Sequence, residues 1–528
     1  MNRKKGGVGL LSRSRFFVKR LLWLTVVLAL VVAGCSPDAG NSGHRESGDK
    51  EITLMFSFKS PDLNPHHTLT PLRAGITETS IKLDSDLQLK GWLAKDWTSK
   101  DDQTWEFIIR DGIRFHDGTK MDAAAVKASF ERGIRESKAL ANALKVESMQ
   151  AEGQKLTIKT TEPHPSLPSE LVNPYASVVQ AEAEKKMGRN PFNKKPIGTG
   201  PFQVKRFTPN TEVVVERNDH YWDGKPKLKG ATIRFNEDPN VRALTLQSGE
   251  ADIAFNLPPE NVASIQKEED LKVESIPSLR VHFLLYNQQK SQMRDLRVRR
   301  ALDHLLDRQS IVRDIMLGHA SPANGPFTGE LPFSSKKAPV KKDVSKAQEL
   351  LKEAGYQKDS NGKMAKGGKP LTLELVTYGA RPELPRIAQL FQSDAAQAGI
   401  DVKIKTVEDV DSHLNKNESW DVVTYSNLTA PRGDGAYFLN TSLVPEGSLN
   451  PSNLDLPALN KIVDELNATD EMEKRTELTR EAVTVLHQEL PHSYAVYPGN
   501  IYGINKRIVG WTPGLEEYYI LTHTMDVE

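Results

Sequence analysis

The stretch that most constrains the fold of this chain is residues 195–255. Three of its segments, 202–207, 212–217 and 230–236, contain β-branched and aromatic residues in the arrangement typical of β-strands. Glycine and proline at positions 198–201, and a Thr-Pro-Asn turn between the first two segments, mark their ends. We therefore expect three strands of a mixed α/β domain here.

A helix is predicted directly after these strands. Asp238 is a typical N-cap residue, Pro239 suits the first helical turn, and Gly249 is a typical helix end. The apolar spacing predicts that the buried face of this helix consists of Val241, Leu244, Thr245 and Leu246.

The order of these features resembles that of the bacterial extracellular solute-binding proteins of family 5. These proteins are the oligopeptide, dipeptide and nickel receptors of ABC importers. The family pattern is Pro-x-Gly-Thr-Gly-Pro, Asn-x-x-Tyr-Trp, Asp-Pro-x-x-Arg and Gly-Glu-x-Asp. The matching residues are Gly198, Thr199, Gly200, Pro201, Asn218, Tyr221, Trp222, Asp238, Pro239, Arg242, Gly249, Glu250 and Asp252.

This resemblance covers nearly all of residues 50–528 and implies a fold. The expected fold is α/β and similar to type II periplasmic binding proteins, with two lobes, hinge strands and an extra small domain in the first lobe. Segments 281–287 and 494–497 resemble the crossovers between the lobes. The implied divisions are a lipoprotein signal peptide (1–34), a flexible tether (35–50), a first lobe (51–91, 197–287 and 498–528), an extra α/β subdomain (92–196) and a second lobe (288–497).

The N-terminal segment indicates export. A basic region precedes a mostly apolar segment of twelve residues, 21–32, which is shorter than the roughly 20 residues that span a membrane. This pattern is typical of a secretory signal, although a short membrane anchor is the alternative. The residues Val-Ala-Gly-Cys that end at Cys35 resemble a bacterial lipobox, which implies acylation of Cys35. Because Cys35 is the only cysteine, we expect no disulfide.

Charge and motif content exclude several classes of function. Residues 1–34 carry seven Lys/Arg and no acidic residue, so their removal changes the formal net charge from +1 to −6. The remaining chain has no basic cluster rich in aromatic residues, so we expect no nucleic-acid partner. Hydrolase, metalloprotease, dithiol and phosphate-loop motifs are absent from the sequence. The resemblance implies binding without turnover, and an exported hydrolase is the other class considered.

The segment 425–438 is the first candidate for ligand contact, because it leaves a predicted strand as a loop rich in proline and glycine. In the family this loop faces the cleft, and Asp434 lies near the position where peptide-binding members hold an amino group. The planar guanidinium of Arg432 suits a carboxylate. The alternative is an ion pair between Arg432 and Asp434 within the loop. Tyr425, Asn427 and Tyr437 are further candidates in this segment.

A second candidate segment is Leu-Asn-Pro-His-His at positions 63–67, a turn that borders the cleft in the family. His66 or His67 is a candidate for contact with the ligand or a metal. The alternative is a pair of solvated loop histidines, since two side chains do not make a metal site. Arg73 is a further cleft candidate.

The motifs quoted above look closest to those of the nickel-type receptors of the family, and this resemblance narrows the class of ligand that we expect the protein to carry. Segment 444–448 lacks the histidine that nickel receptors carry after the ligand loop, whereas opine-metallophore receptors hold carboxylates with arginines. We expect no intrinsic cofactor, and a nickel, cobalt or zinc complex of an opine-type or other carboxylate-rich chelator as cargo. A dipeptide or oligopeptide is the alternative. The resemblance implies an extracytoplasmic protein, which we expect to be a monomer. Its implied partners are ABC permease subunits and, through the lipid anchor, the cell membrane.

Overall fold

The computed structural model describes residues 50–416 and 419–528. Cys35, the predicted signal peptide and all but the last residue of the predicted tether lie outside the described residues. Within the described ranges, none of the helices combines the length and the apolar character that a membrane crossing requires.

The strands of the described ranges belong to one large sheet and several small ones. In chain order they are β1 (Glu51–Phe56), β2 (Ile81–Leu83), β3 (Leu89–Gly91), β4 (Ala94–Ser99), β5 (Thr104–Ile109), β6 (Val146–Glu152), β7 (Lys155–Thr160), β8 (Phe202–Thr208), β9 (Glu212–Arg217), β10 (Gly230–Phe235), β11 (Ile253–Ala254), β12 (Leu271–Pro277), β13 (Arg280–Tyr286), β14 (Ala320–Pro322), β15 (Gln357–Lys358), β16 (Met364–Lys366), β17 (Lys369–Pro370), β18 (Thr372–Tyr378), β19 (Asp401–Val407), β20 (Val422–Leu428), β21 (His492–Asn505), β22 (Ile508–Val509) and β23 (Asp526–Val527).

Helices cover the faces of these sheets. The α-helices of the described ranges are Thr70–Arg73, Ala123–Glu136, Lys138–Leu144, Leu167–Glu170, Ala181–Met187, Arg189–Lys194, Pro239–Gln247, Pro259–Ile265, Ser291–Arg294, Leu296–His304, Arg308–Ser310, Val344–Glu353, Glu383–Ala398, Val410–Lys416, Ala436–Ser442, Pro457–Ala468 and Met472–Glu489. A 3₁₀ turn covers Pro174–Ala176, and a π-helical turn covers Ile311–Ile315.

The large sheet has the strand order β19-β18-β20-β13-β21-β11-β1-β10-β9-β8, and β12 and β14 also pair with β21. The long strand β21 joins the two halves of this sheet. Its first part pairs with β13 and β14, and its second part pairs with β11 and β12. Consequently the chain passes between the halves at residues 277–280 and 498–499, and the predicted crossover segments 281–287 and 494–497 lie directly beside these two points.

A four-stranded antiparallel sheet, β4-β5-β7-β6, forms a separate small layer within the segment predicted as the extra subdomain. The helix Ala123–Glu136 packs against it and begins at Asp122, whose side chain accepts a hydrogen bond from the backbone N–H of Ala125 at 3.0 Å. The aromatic residues Trp105, Phe107 and Phe130 are buried between helix and sheet.

The helix Pro239–Gln247 corrects one prediction. Asp238 caps it as expected and Leu246 is buried as predicted, but Val241 is 38% exposed and Leu244 is 63% exposed, so the predicted buried face is wrong at these two positions. The cause is Arg242, whose buried guanidinium donates hydrogen bonds to the backbone carbonyls of residues 236, 237, 255 and 256 at 2.6–3.0 Å. These bonds turn the polar arginine inward, and the apolar side chains at 241 and 244 face outward instead.

Three separated segments meet at one buried carboxylate, that of Glu78. Tyr221 and Thr199 each donate a hydroxyl to it at 2.7 Å, and the indole N–H of Trp222 donates at 3.0 Å. Burial raises the pKa of Glu78 to about 7, although the three hydrogen bonds oppose this shift. The Glu78 cluster, defined as these four residues, therefore gives a structural role to the motif residues at 199, 221 and 222.

Positions 198 and 200, beside this cluster, require glycine because the backbone of residues 75–76 lies too close to leave room for a Cβ atom. A Cβ atom on Gly198 would lie 2.1 Å from the carbonyl oxygen of Ile76, and one on Gly200 would lie 2.2 Å from that of Gly75. His116 fixes the same turn, since its Nε2 lies 3.0 Å from the Gly200 oxygen and its Nδ1 accepts from the Gly198 N–H at 3.3 Å. His116 is thus a structural residue of this turn.

Candidate functional site

The candidate site lies where parallel strands of both halves of the large sheet end. Strand β1 runs parallel to β10 and β11, and β18 runs parallel to β19 and β20. In open α/β sheets, ligands bind beyond the carboxyl ends of the strands. The loops that follow β1, β11, β18 and β20 are therefore the parts of the structure to search for ligand-binding groups.

Arg73, a predicted site residue, lies at this edge in the first half of the sheet. Its Nε donates to the Glu517 carbonyl at 2.9 Å, and its Nη2 lies 3.6 Å from the Glu517 carboxylate. The guanidinium carbon is 4.9 Å from the ring centroid of Phe58. A small cavity here is lined by Phe56, Phe58, Arg73, Phe255, Asn256, Tyr502, Glu517 and Ile520.

Arg432 lies on the loop that follows β20. Its guanidinium forms an ion pair with Glu170 of the extra subdomain and lies 5.2 Å from the ring centroid of Tyr437. Burial raises the pKa of Glu170, and the positive charge of Arg432 opposes that shift. The predicted site residues Arg432 and Tyr437 are therefore adjacent, and the arginine connects two parts of the chain.

Asp434 does not pair with Arg432, the partner that the sequence suggested as an alternative. Its carboxylate forms a buried ion pair with Arg475 at 2.7 Å and accepts the backbone N–H of Ala436 at 3.1 Å. Arg432 and Asp434 thus pair with separate residues, in place of an ion pair within the loop. The Asp434 carboxylate is engaged by a protein cation.

Tyr425 and Asn427 lie on strand β20 and contact their own lobe. The Tyr425 hydroxyl donates to the carboxylate of Asp411, and its ring packs on Phe283 with a centroid distance of 5.6 Å. The side-chain amide of Asn427 donates to the hydroxyl of Ser442 at 3.2 Å. Both polar groups are therefore already used by neighbouring side chains.

His66 and His67 fasten their loop to the extra subdomain. The Nδ1 of His66 lies 2.8 Å from the Tyr175 carbonyl oxygen, and the Nε2 of His67 lies 2.7 Å from the Glu136 carbonyl oxygen. Burial lowers the pKa of His66 to about 3, so this side chain is neutral. In residues 50–416 and 419–528, no group of three or more His, Cys, Asp or Glu side chains is arranged to hold a metal ion.

Two arginines of the cleft were not predicted. Arg280 opens β13 and donates from Nη1 to the hydroxyl of Ser426 at 3.2 Å. Burial and then the nearby charge of Arg381 lower the pKa of Arg280 to about 10, while Glu517 opposes the shift. Arg381 follows the carboxyl end of β18, and this position is the signal by which the sequence could have identified it.

Arginines of both halves affect the pKa of the buried Tyr518. Burial raises the pKa of Tyr518, and the charges of Arg432 and Arg73 both lower it in part. Burial raises the pKa of Tyr175, and the nearby Tyr437 adds to that shift. The site thus combines guanidinium groups with aromatic rings, an arrangement suited to carboxylate groups on a small ligand.

Comparisons with known proteins give one matching family model and several similar proteins. The family model described as "Bacterial extracellular solute-binding proteins, family 5 Middle" matches residues 88–450. The nickel-binding protein NikA of Staphylococcus aureus is 32% identical over 499 residues, which are 94% of this chain and 97% of that protein. A structure of Staphylococcus aureus NikA in complex with Ni(L-His)2 is 31% identical with a TM-score of 0.77, covering 90% of this chain and 100% of that one.

Two further solved structures are similar. The nickel ABC transporter protein from Bacillus halodurans is 41% identical with a TM-score of 0.80, and the match covers 91% of this chain and 100% of that chain. NikA from Brucella suis, in complex with Fe(III)-EDTA, is 25% identical with a TM-score of 0.82, and the match covers 90% and 100%.

Proposed function

Because this chain belongs to the bacterial extracellular solute-binding proteins of family 5, we propose that it captures a metal complex and delivers it to the permease of an ABC importer. The family consists of solute-binding receptors of ABC transporters rather than enzymes. The predicted α/β fold of the type II periplasmic binding proteins is confirmed by its structural relatives. The proposed cargo is nickel, cobalt or zinc held by an opine-type or other carboxylate-rich chelator.

The observation that carries this proposal is the placement of Arg73 and Arg432, which lie in different halves of the molecule at the edge where the parallel strands end, each beside an aromatic ring, that of Phe58 and that of Tyr437. Guanidinium groups hold carboxylates through paired hydrogen bonds. A chelator that fills the coordination sphere of its metal requires few protein ligands, so its carboxylates are what the receptor has to recognise. Ni(L-His)2 and Fe(III)-EDTA, found with two relatives, are both complexes of carboxylate-bearing chelators.

The peptide alternative depends on Asp434, the residue that would hold the amino group of a peptide. Its ion pair with Arg475, at 2.7 Å, already neutralises this carboxylate in a buried place. Removing Arg475 from that pair would leave a buried charge without a partner, which is costly. A peptide would have to compete with Arg475 for Asp434, as a carboxylate of the metal complex would have to compete with Glu170 for Arg432. The similarity of this chain to nickel-binding proteins is what favours the metal complex over the peptide.

Calorimetry on the purified protein tests this assignment. We expect tight binding of Ni(L-His)2 or of a nickel complex of a polycarboxylate chelator, and weak binding of nickel chloride, of the free chelator and of a mixture of dipeptides and tripeptides. Tight binding of peptides without binding of either complex would show that the proposed cargo is wrong.

Lipid anchoring at Cys35, which would hold the receptor at the outer face of the cell membrane, is part of the same proposal. The only thiol of the chain closes a sequence similar to a lipobox. We expect Cys35→Ser to abolish acylation and to release the protein from membranes. Incorporation of labelled palmitate and membrane fractionation measure this directly, and unchanged labelling in the variant contradicts the anchor.

A further inference from the structure

A cavity of about 290 Å³ lies apart from the candidate site described above. Its wall combines the helix Leu296–His304, the end of the helix Met472–Glu489, the segment 337–340 and the first part of β21. None of the described residues that line it belongs to the loops after β1, β11, β18 and β20. A water molecule takes up about 30 Å³ of liquid volume, so this cavity has room for a small organic molecule.

The charged groups of the cavity wall leave a surplus of positive charge. Arg308 is neutralised by Asp303, since its Nη2 lies 2.5 Å from the Oδ1 of that residue. Arg300 and Lys337 also line the cavity, and neither takes part in an ion pair within residues 50–416 and 419–528. Arg300 only approaches the carbonyl oxygen of Gln488, at 3.4 Å. Two cations of the wall are therefore available to an anion.

The segment beside the cavity adds to this positive charge. Residues 336–342 read Lys-Lys-Ala-Pro-Val-Lys-Lys. Lys342 pairs with Asp394 at 2.5 Å, whereas the lysines at 336, 337 and 341 are exposed and form no ion pair in the part of the chain that the structure describes. Without residues 1–34 the formal net charge changes from +1 to −6, so this surface is a local positive field on an acidic chain and attracts anions.

A buried hydroxyl without a partner lies in the same wall. Tyr494 lines the cavity and is 5% exposed, and its hydroxyl oxygen forms no hydrogen bond with any described residue. The hydroxyl of Tyr497, on the same strand, donates to the Oδ1 of Asn324 at 3.0 Å and to the carbonyl oxygen of Gly325 at 2.9 Å. Burial raises the pKa of Tyr494 well above its usual value, so its hydroxyl keeps a proton to donate. Since buried polar groups in proteins are nearly always hydrogen-bonded, a ligand with oxygen acceptors suits this position.

We propose that this cavity is a second binding site, distinct from the site of the transported cargo, and that it takes the phosphate group of a small organic phosphate or of a lipid headgroup. Arg300, Lys337 and Tyr494 come from separate elements and supply donors from different directions. A phosphate group offers several strong acceptor oxygens and up to two negative charges. The rest of the wall includes apolar side chains, those of Ala323, Val340 and Leu490. The site therefore suits a phosphate attached to a short carbon body such as glycerol.

The variants Arg300→Gln and Lys337→Gln test this site by calorimetry with glycerol 3-phosphate. Lys336→Gln is the matched control, because this exposed lysine is the next residue in the chain and does not line the cavity. We expect each of the first two variants to bind about tenfold more weakly, and the control to bind as the unaltered protein does. An equal loss in Lys336→Gln, or binding of succinate as tight as that of glycerol 3-phosphate, would overturn the assignment to phosphate.

The variant Tyr494→Phe separates a binding hydroxyl from a structural one. We expect it to weaken binding of glycerol 3-phosphate by about fivefold and to leave the melting temperature of the free protein unchanged or higher, since the hydroxyl has no partner to lose. Tyr497→Phe, which loses two hydrogen bonds, should lower the melting temperature. A lower melting temperature in Tyr494→Phe together with unchanged affinity would contradict the site as defined here.

Vesicle flotation distinguishes the two sources of the phosphate group. It uses the Cys35→Ser variant, so that no acyl chain is attached, with vesicles of phosphatidylcholine alone or mixed with phosphatidylglycerol. Flotation with phosphatidylglycerol that Arg300→Gln reduces and Lys336→Gln does not assigns the site to a lipid headgroup. Binding of glycerol 3-phosphate without flotation assigns it to a free organic phosphate, and failure of both refutes it. Since no metal complex enters these measurements, they test the cavity whether or not the proposed cargo is correct.

Discussion

Replacing Arg432 by alanine is expected to weaken binding of Ni(L-His)2 by about 30-fold or more. Truncating one partner of a buried, hydrogen-bonded charge pair costs roughly 2–5 kcal/mol, and each 1.4 kcal/mol corresponds to about a tenfold change in affinity. Arg432→Lys should recover only part of the loss, because a point charge cannot donate two parallel hydrogen bonds. Titration calorimetry with the preformed complex measures both variants.

The control for this result is Glu170→Gln. Arg432 pairs with Glu170, so its removal also breaks a contact between the second half of the molecule and the extra subdomain. Glu170→Gln breaks the same ion pair but keeps the guanidinium. If Arg432 binds the cargo, Glu170→Gln should bind the nickel complex at least as well as the unaltered protein. Equal losses of affinity in both variants would instead mean that Arg432 holds these two parts of the chain together and does not bind the cargo.

Replacing Glu78 by alanine is expected to lower the free energy of unfolding by about 3 kcal/mol or more. The substitution leaves the hydroxyls of Tyr221 and Thr199 and the indole N–H of Trp222 without their acceptor. A buried polar group that loses its partner costs about 1–3 kcal/mol. Urea denaturation, followed by intrinsic tryptophan fluorescence, measures the change.

Two comparisons make the Glu78 result specific. Thr199→Val removes one donor and should cost only about 1 kcal/mol. Glu237→Ala removes a carboxylate that is 61% exposed and pairs with Lys59, so its effect should lie within about 1 kcal/mol. A Glu78→Ala effect no larger than that of Glu237→Ala would contradict the role assigned to the Glu78 cluster.

The pH dependence of stability follows from the same residue. Since the pKa of Glu78 rises from 4.5 to about 7 on folding, the folded state binds more protons than the unfolded state in this range. The stabilising contribution of Glu78 is therefore complete below about pH 4.5, and it decreases as the pH rises through 7. Glu78→Gln should therefore show a smaller loss of stability than the unaltered protein between these two pH values.

Local features of the fold were predictable from the sequence. The strands β8, β9 and β10 and the cap at Asp238 occur where alternation and turn residues predict them. These features depend on neighbouring residues alone. The buried face of the helix at 239–247 was mispredicted, since the orientation of Arg242 is decided by carbonyls at 255 and 256, which no local pattern reveals.

The candidate site was predictable only as a segment. The segment 425–438 was identified from its composition, but the structure directs its side chains to different partners: Arg432 to Glu170, Asp434 to Arg475 and Tyr425 to Asp411. Each of these partners comes from another part of the chain. Arg280 and Arg381 escaped detection for the same reason, because their proximity depends on the contact between His282 and Glu383.

The shared strand β21 has a consequence for how the molecule assembles. Strand β11 has β1 on one side and β21 on the other, and β13 also pairs with β21. Both halves of the large sheet are therefore incomplete until residues 492–505 are available, almost at the end of the chain. Pairing between such distant segments is slow compared with local structure. The large sheet of a nascent chain is thus completed only when nearly all of the chain has been synthesised, which suits a polypeptide that is threaded through a membrane before it folds.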